Sequence, residues 1–259
     1  MADNINNIGR LFYKDYYNEV NFANVIDGKE SNLGDINERI KNSDLVKIPY
    51  PIDDTNIKCI KATIQYPGLI TGVGLEHNSK NIKGGYNLGM HFDYAHGMPI
   101  VYGSSVKGVL REYFKEFYEG DLDVDDLVQD IFSGKVRNTE KDKYDDKGKL
   151  FVKGYDNKSI YERDVFFDAV IVEDYKGSFL VDDSITPHTE GPLKNPTPIK
   201  MLKIAPGCKM EFRFKLNNHK IKDREYTSDF ILEIFKNILG TVGVGAKTNV
   251  GYGQLKIVE

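Results

Sequence analysis

The sequence has 259 residues, 40% of them hydrophobic, with 14 Phe and 16 Tyr, enough to bury a sizeable core without disulfides or a metal. Its 35 Lys and Arg stand against 39 Asp and Glu, a net charge of −4 that argues against a free-standing protein gripping nucleic acid by bulk electrostatics. No apolar run reaches the roughly 20 residues of a membrane helix. The opening MADNINNIGR also lacks the basic-then-apolar order of a secretory signal, so a cytoplasmic location is expected, with no membrane partner.

The elements follow in chain order. Leu11, Phe12, Tyr13, Tyr16 and Tyr17 predict a helix docked on the core or on a partner, within an N-terminal extension of residues 1–56. From Lys58 to Tyr66 the alternation of Ile60, Ala62, Ile64 and Tyr66 against Cys59, Lys61, Thr63 and Gln65 predicts the first core strand. Leu88, Met90 and Phe92 suggest a hairpin strand. Ser104 or Ser105 then caps a helix carrying Val106, Val109, Leu110, Tyr113, Phe114 and Phe117 at helical spacing. Asp125 to Phe132 adds a short helix within a charged, glycine-bearing insertion of about 119–163, whose later part reads as a tolerant surface segment.

Val165 to Val172 reads as a buried strand, and Gly207 to Leu216 as the clearest strand, with Cys208, Met210, Phe212, Phe214 and Leu216 alternating against a basic parity. Between them, about 173–206 reads as a protruding arm. Thr227 or Ser228 caps a second helix that Gly240 stops, and Tyr252 to Val258 closes the chain as a strand. The order strand, helix, strand, strand, helix, strand is the split βαβ arrangement of an α+β, ferredoxin-like domain spanning 57–259.

Cys59 and Cys208 sit far apart in alternating segments and read as buried hydrophobes, so neither a disulfide nor a structural zinc is expected. Charge is uneven: 119–130 holds six acids and no base, and 194–215 holds six bases and one acid, Glu211. Either run reads most simply as a solvated face. A conjecture beyond that makes Asp121, Asp123, Asp125 and Asp126 a surface for basic neighbours.

The segment VGVGAKTNVGYGQL at 242–255 is the most informative. Gly243, Gly245, Gly251 and Gly253 around Lys247, Thr248 and Asn249 imply positive φ or the close approach of another backbone, and successive exposed amides there can cradle a phosphate. The plainer reading is a turn plus a bulge. It is neither a P-loop nor a dinucleotide fingerprint, because the glycines follow a helix instead of opening one. A second anion site is predicted where Gly103, Ser104 and Ser105 run into a helix start, with Lys107 and Arg111 one turn apart. An ordinary serine cap explains that segment equally well.

His91 and His96 flank Asp93 and could form an acid–base cluster for RNA cleavage. If Leu88, Met90 and Phe92 face the core, however, His91 and Asp93 are surface residues. His77, His188 and His219 have no acid–base partner in sequence, and adjacent Asp182 and Asp183 read as a polar turn, not a cation site.

Together, GSSVKGVLR at 103–111 and GVGAKTNVGYG at 243–253 resemble the RAMP superfamily of CRISPR proteins, whose fold is ferredoxin-like and RRM-like. NIGRLFYKDYY near the start, YPGLITGVG at 66–74, RDVFFDAV at 163–170, DSITPH at 183–188 and NPTPIKMLKI at 195–204 are similar to the sixth Cmr subunit of type III-B effector complexes. The resemblance implies a non-catalytic protein that binds CRISPR RNA toward its 3′ side, within an antiviral ribonucleoprotein. Its partners would be the guide RNA, the duplex of guide with target RNA, and other RAMP subunits.

It also implies RNA contacts by Gly103, Ser104, Ser105, Lys107 and Arg111, and by Gly243, Gly245, Ala246, Lys247, Thr248, Asn249 and Gly251. The arm would match the family's thumb, with Ile185, Thr186, Pro187 and His188 at its tip or hinge and Asn195 and Lys200 further along it. No catalytic residue, metal or cofactor is implied, since the target-cleaving aspartate of such complexes belongs to another subunit. Two other readings remain: a RAMP endoribonuclease that processes CRISPR repeats or cleaves target RNA, and a ferredoxin-like assembly protein with no RNA role.

Overall fold

A computed structural model of the chain describes residues 7–20, 22, 33–49, 57–75, 77, 82, 84–120, 124–186 and 198–258. The helices are α1 (Ile8–Tyr13), α2 (Gly34–Lys41), α3 (Gly103–Phe117), α4 (Val124–Ser133) and α5 (Ser228–Val242). The strands are β1 (Ile57–Ile64), β2 (Ile100–Val101), β3 (Lys135–Arg137), β4 (Lys143–Tyr144), β5 (Leu150–Val152), β6 (Tyr155–Asn157), β7 (Val165–Phe166), β8 (Ala169–Glu173), β9 (Leu180–Ile185), β10 (Ile199–Ile204), β11 (Lys209–Lys215), β12 (His219–Ile221), β13 (Arg224–Tyr226) and β14 (Leu255–Val258).

The central sheet has the order β14-β1-β11-β8-β2, with β7 also pairing β11 and every pairing antiparallel. Without the short edge strand β2, the path β1, α3, β8, β11, α5, β14 yields the ferredoxin-like arrangement expected from the split βαβ order. Register follows the alternation in β1 and β11. Ile60 lies opposite Phe212 and Ala62 opposite Met210, and all four side chains are buried. Phe214 meets Phe235 of α5 at 5.3 Å, and Phe114 of α3 meets Phe235 at 6.2 Å, so α3 and α5 cover this face.

The other face corrects an expectation. The polar parity of β11 is not an exposed basic stripe, because Glu211 and Arg213 are only 3% and 4% exposed. Arg213 Nε donates to Glu211 Oε1 at 2.8 Å, and its other nitrogens donate to the carbonyls of Ile48 and Pro49. The segment leading out of α2 therefore lies across the sheet, and the N-terminal region is joined to the domain. Phe12 and Tyr16 of the aromatic cluster are fully buried, with Phe12 stacked on His77 at 4.1 Å.

Other boundaries differ for identifiable reasons. The 88–92 segment forms no strand, although Met90 and Phe92 are buried; Tyr13 holds the Met90 backbone, and Phe92 makes a single bridge to Pro99. The predicted strand from Val165 is broken between β7 and β8 at Phe167 and Asp168, although Phe167 N–H still donates to Arg213 O of β11 at 3.1 Å. Gly240 does not stop α5, which runs to Val242 and ends at Gly243 with φ +75°. The last strand begins at Leu255, after a turn through Tyr252.

The insertion is more than a surface segment. Helix α4 buries Leu127, Val128, Ile131 and Phe132 in the core, and β3–β6 and β4–β5 form two small ribbons beyond it. The acidic run is not a uniform face either. Asp126 and Asp130 are buried on Lys153 and Lys158, and Asp125 pairs with Lys115. Asp121 and Asp123 lie outside the described residues. In the arm, β9 and β10 pair Ile185 with Ile199 through Leu180 with Ile204, and Leu180, Met201, Leu202 and Ile204 are core residues. Thr186 is exposed at the end of this ladder, and Pro187, His188 and Asn195 lie outside the described residues.

Candidate functional site

After α5 the chain must return to β14 by crossing itself. Val244 N–H donates to Gly253 O at 3.0 Å, and Gly253 N–H donates to Gly68 O at 2.8 Å. A Cβ on Gly243 would strike Gly253 O, one on Gly253 would strike Val244 O, and one on Gly245 would strike Ile70 O. Three of the four glycines are thus demanded by packing of backbone on backbone. Gly251, at φ +97°, meets nothing closer than Pro67 Cδ at 3.6 Å.

The crest of this loop is different. Lys247 takes a left-handed conformation at φ +60° and leads into a 3₁₀ turn, Thr248–Val250. The amides of Ala246, Val250 and Gly251 are satisfied by Ile70 O, Lys247 O and Thr248 O. Those of Lys247, Thr248 and Asn249 have no acceptor among the described residues, and the side chains of Lys247 and Asn249 are exposed. Consecutive free N–H groups beside an ammonium make an arrangement suited to an anion.

The start of α3 is more closed than the sequence suggested. Its N-cap is Tyr102, and neither Ser104 nor Ser105 caps it. Instead Asp168 Oδ1 accepts Gly103 N–H at 2.7 Å, while Tyr102 O accepts from Ser105 and Val106. The helix dipole thus already faces a carboxylate of the protein itself. Gly103 is glycine because a Cβ would strike Phe166 O. Lys107 lies 5.4 Å over the Phe166 ring, and burial, with Arg111 and Arg163 nearby, pushes its pKa down. Arg111, Ser104 and Ser105 are exposed.

A third segment that sequence reasoning did not assign to the site links these two. Ile70 O accepts from Ala246, and the next residue, Thr71, places Oγ1 2.9 Å from His91 Nδ1. The His91 ring stacks on Tyr102 at 4.2 Å, and Tyr102 directly precedes Gly103. The glycine loop, Thr71, His91, Tyr102 and the start of α3 are therefore contiguous. YPGLITGVG at 66–74 stood out as a motif, but nothing in its spacing announced this bridging role.

Among the described residues, the histidines do not assemble as a cluster. His91 turns to Thr71 and Tyr102, and burial lowers its pKa, whereas Asp93 Oδ2 is held by the ring and backbone N–H of His96. His77 is buried with its ring nitrogens facing the carbonyls of Tyr86 and Phe12. His219 lies between two buried carboxylates, 3.0 Å from Asp130 Oδ2 and 2.8 Å from Asp164 Oδ2, partners invisible in sequence.

Asp182 and Asp183 are likewise saturated. Burial opposes the charge on Asp182, yet the Tyr86 hydroxyl and the ammonium groups of Lys200 and Lys41 hold its carboxyl below the usual range. Lys203 and the Tyr252 hydroxyl hold Asp183. Among the described residues no group of three or more His, Cys, Asp or Glu could hold a metal ion, and no helix is long and apolar enough to cross a membrane.

A family model described as the RAMP superfamily matches residues 61–256, which takes in most of the sheet, both covering helices and the glycine loop. The chain belongs to the RAMP superfamily. No curated protein matches it. Among solved structures, this RAMP protein is similar to a chain of the type III-B Cmr-beta complex bound to cognate target RNA, seen by cryo-EM. The two are 23% identical with a TM-score of 0.50, and the match covers 78% of this chain and 58% of that one. This RAMP protein thus matches little over half the length of the Cmr-beta chain. Cmr6 from Pyrococcus furiosus also matches, with 19% identity, a TM-score of 0.36, and 77% of this chain and 97% of that one covered. The likeness to the Cmr-beta chain is one of fold.

Proposed function

We propose that this RAMP protein is a non-catalytic guide-RNA subunit of a type III-B Cmr effector complex, holding the strand toward its 3′ side against neighbouring RAMP subunits. The crest Lys247–Thr248–Asn249 carries this reading. It presents three adjacent amides with no acceptor among the described residues and a lysine, which hold phosphates in a sequence-tolerant way, while base pairing by the guide supplies the specificity. The exposed guanidinium of Arg111 and the hydroxyls of Ser104 and Ser105 extend the contact along the start of α3. The net charge of −4 fits a protein whose RNA site is local and that works inside an assembly.

Replacing Lys247 by Ala in the assembled complex should weaken guide-RNA retention several-fold. It should also reduce the slope of log affinity against log salt by about 1, since one phosphate contact is lost. Thermal stability should stay put, because the Lys247 side chain is exposed. Unchanged affinity and slope would remove the crest from the RNA path. The complete chain should leave repeat and target RNA uncut with or without divalent cation. Cutting that disappears on Asp93→Asn or His96→Ala would replace the binding subunit with an endoribonuclease.

A further inference from the structure

A groove of about 680 Å³ opens between α1 and the segment that follows Met90. Its floor is apolar and rigidly built. Met90 and Phe92 are buried, the Tyr13 hydroxyl both donates to Met90 O at 2.6 Å and accepts Met90 N–H at 2.9 Å, and Gly9 lets α1 sit directly on Phe92. Two tyrosine rings stand in its walls without being buried by the fold. Tyr94 is 100% exposed, and Tyr102, 37% exposed, is backed by His91. Arg10 of α1, paired with Asp15 at 3.2 Å, and Lys14 just after it line the same groove, and its one carboxylate among the lining residues, Asp93, is held by His96.

Given the proposed RNA role, on which this step rests, we infer that the groove is a base-stacking subsite for one unpaired nucleobase of the guide strand. Its size lies within the roughly 300–1,000 Å³ of sites that enclose compact organic ligands. Aromatic rings fixed at the edge of a cationic track are how proteins hold unpaired bases irrespective of sequence. Continuity favours RNA over an apolar peptide. Tyr102 belongs both to the groove and to the bridge of Thr71 and His91 that ends at the glycine loop. A strand seated on the Lys247 crest and running toward α3 passes Tyr102, where a base can turn into the groove and leave its flanking phosphates near Arg10 and Lys14.

The test assembles the complex on guide RNAs carrying 5-iodouridine at one position at a time, irradiates it and maps the crosslinked peptides. In parallel, complexes assembled with full-length Tyr94→Ala, Tyr94→Phe or Lys247→Ala protein are assayed for guide-RNA affinity at several salt concentrations. Crosslinks at Tyr94 or Tyr102 are expected, from a narrow set of positions. Tyr94→Ala should weaken binding about tenfold with an unchanged salt slope, and Tyr94→Phe should retain it, because stacking releases no counterions. Tyr94 is fully exposed, so its truncation carries no folding cost that could mimic the effect.

Full affinity in Tyr94→Ala, or crosslinks confined to other segments, would overturn the subsite, and a loss in Lys247→Ala alone would leave the broader RNA reading standing. A groove that crosslinks a neighbouring protein subunit and no RNA would overturn it too. Insensitivity of both variants would sink both readings.

Discussion

His219 shows how much a single side chain can carry where burial is complete. Burial disfavours the charged imidazole, but the carboxylates of Asp130 and Asp164 more than offset it and raise the pKa to about 8. The folded state therefore keeps a proton that the unfolded chain, with an ordinary histidine near 6.5, gives up earlier. The stabilisation is present in full below pH 6.5 and is lost as pH rises through about 8, a linkage of about 2 kcal/mol. His77 and His91 are shifted the other way by burial, so they weaken the fold only below pH 6.5 and leave this window to His219. Wild-type melting temperature should fall between pH 6.5 and 8.5, and His219→Ala should flatten that part of the profile. The same variant should cost about 3 kcal/mol or more at pH 6, since it strands two buried carboxylates whose remaining close partners among the described residues are Lys158 and Asn217. A parallel pH profile in the variant would assign the titration elsewhere.

At the scale of elements, the two helices that cover the sheet begin in different ways, and only one start is written locally. Thr227 Oγ1 accepts Phe230 N–H at 3.2 Å, three residues ahead, so the cap of α5 is legible in the sequence. The cap of α3 comes from Asp168, 65 residues away, which is why the serines beside it misled. The glycine loop divides along the same line. Its density of glycine was legible, but a sequence cannot say whether the freed space faces a ligand or another strand of backbone. Here Gly243, Gly245 and Gly253 face backbone, and the crest between them faces outward. Stability and binding should therefore separate. Gly253→Ala forces a Cβ into Val244 O at φ +71° and should cost more than about 1 kcal/mol in chemical denaturation, weakening RNA binding as a consequence. Lys247→Ala should weaken RNA binding with the denaturation midpoint unmoved. Equal midpoints for wild type and Gly253→Ala would mean that the crossing relaxes freely.

Across the whole molecule, strand and helix periodicity was enough to order the sheet, because β1, α3 and α5 each bury one periodic face and the apolar parity of β11 packs with them, although β11 is buried on both faces. What covers the second face of the sheet was not legible. Burial of Glu211 and Arg213 depends on the Ile48 and Pro49 carbonyls, contacts some 165 residues apart that leave no periodic trace. The Tyr94 and Tyr102 groove escaped for the same reason, since one wall is α1. The N-terminal region is thus a structural part of the domain. Ile8, Phe12, Tyr16, Ile36 and Ile40 are each at most 1% exposed, and burying one large side chain contributes about 1.5–3 kcal/mol. Five such losses, about 7.5–15 kcal/mol, are comparable to the 5–15 kcal/mol that holds an ordinary domain together, even before Arg213 loses its two carbonyl partners. A chain beginning at residue 57 should fail to melt cooperatively and should aggregate, although it keeps every strand of the split βαβ order. A soluble truncated domain with a sigmoidal melt within a few degrees of the full chain would show that residues 1–56 merely dock on a self-sufficient sheet.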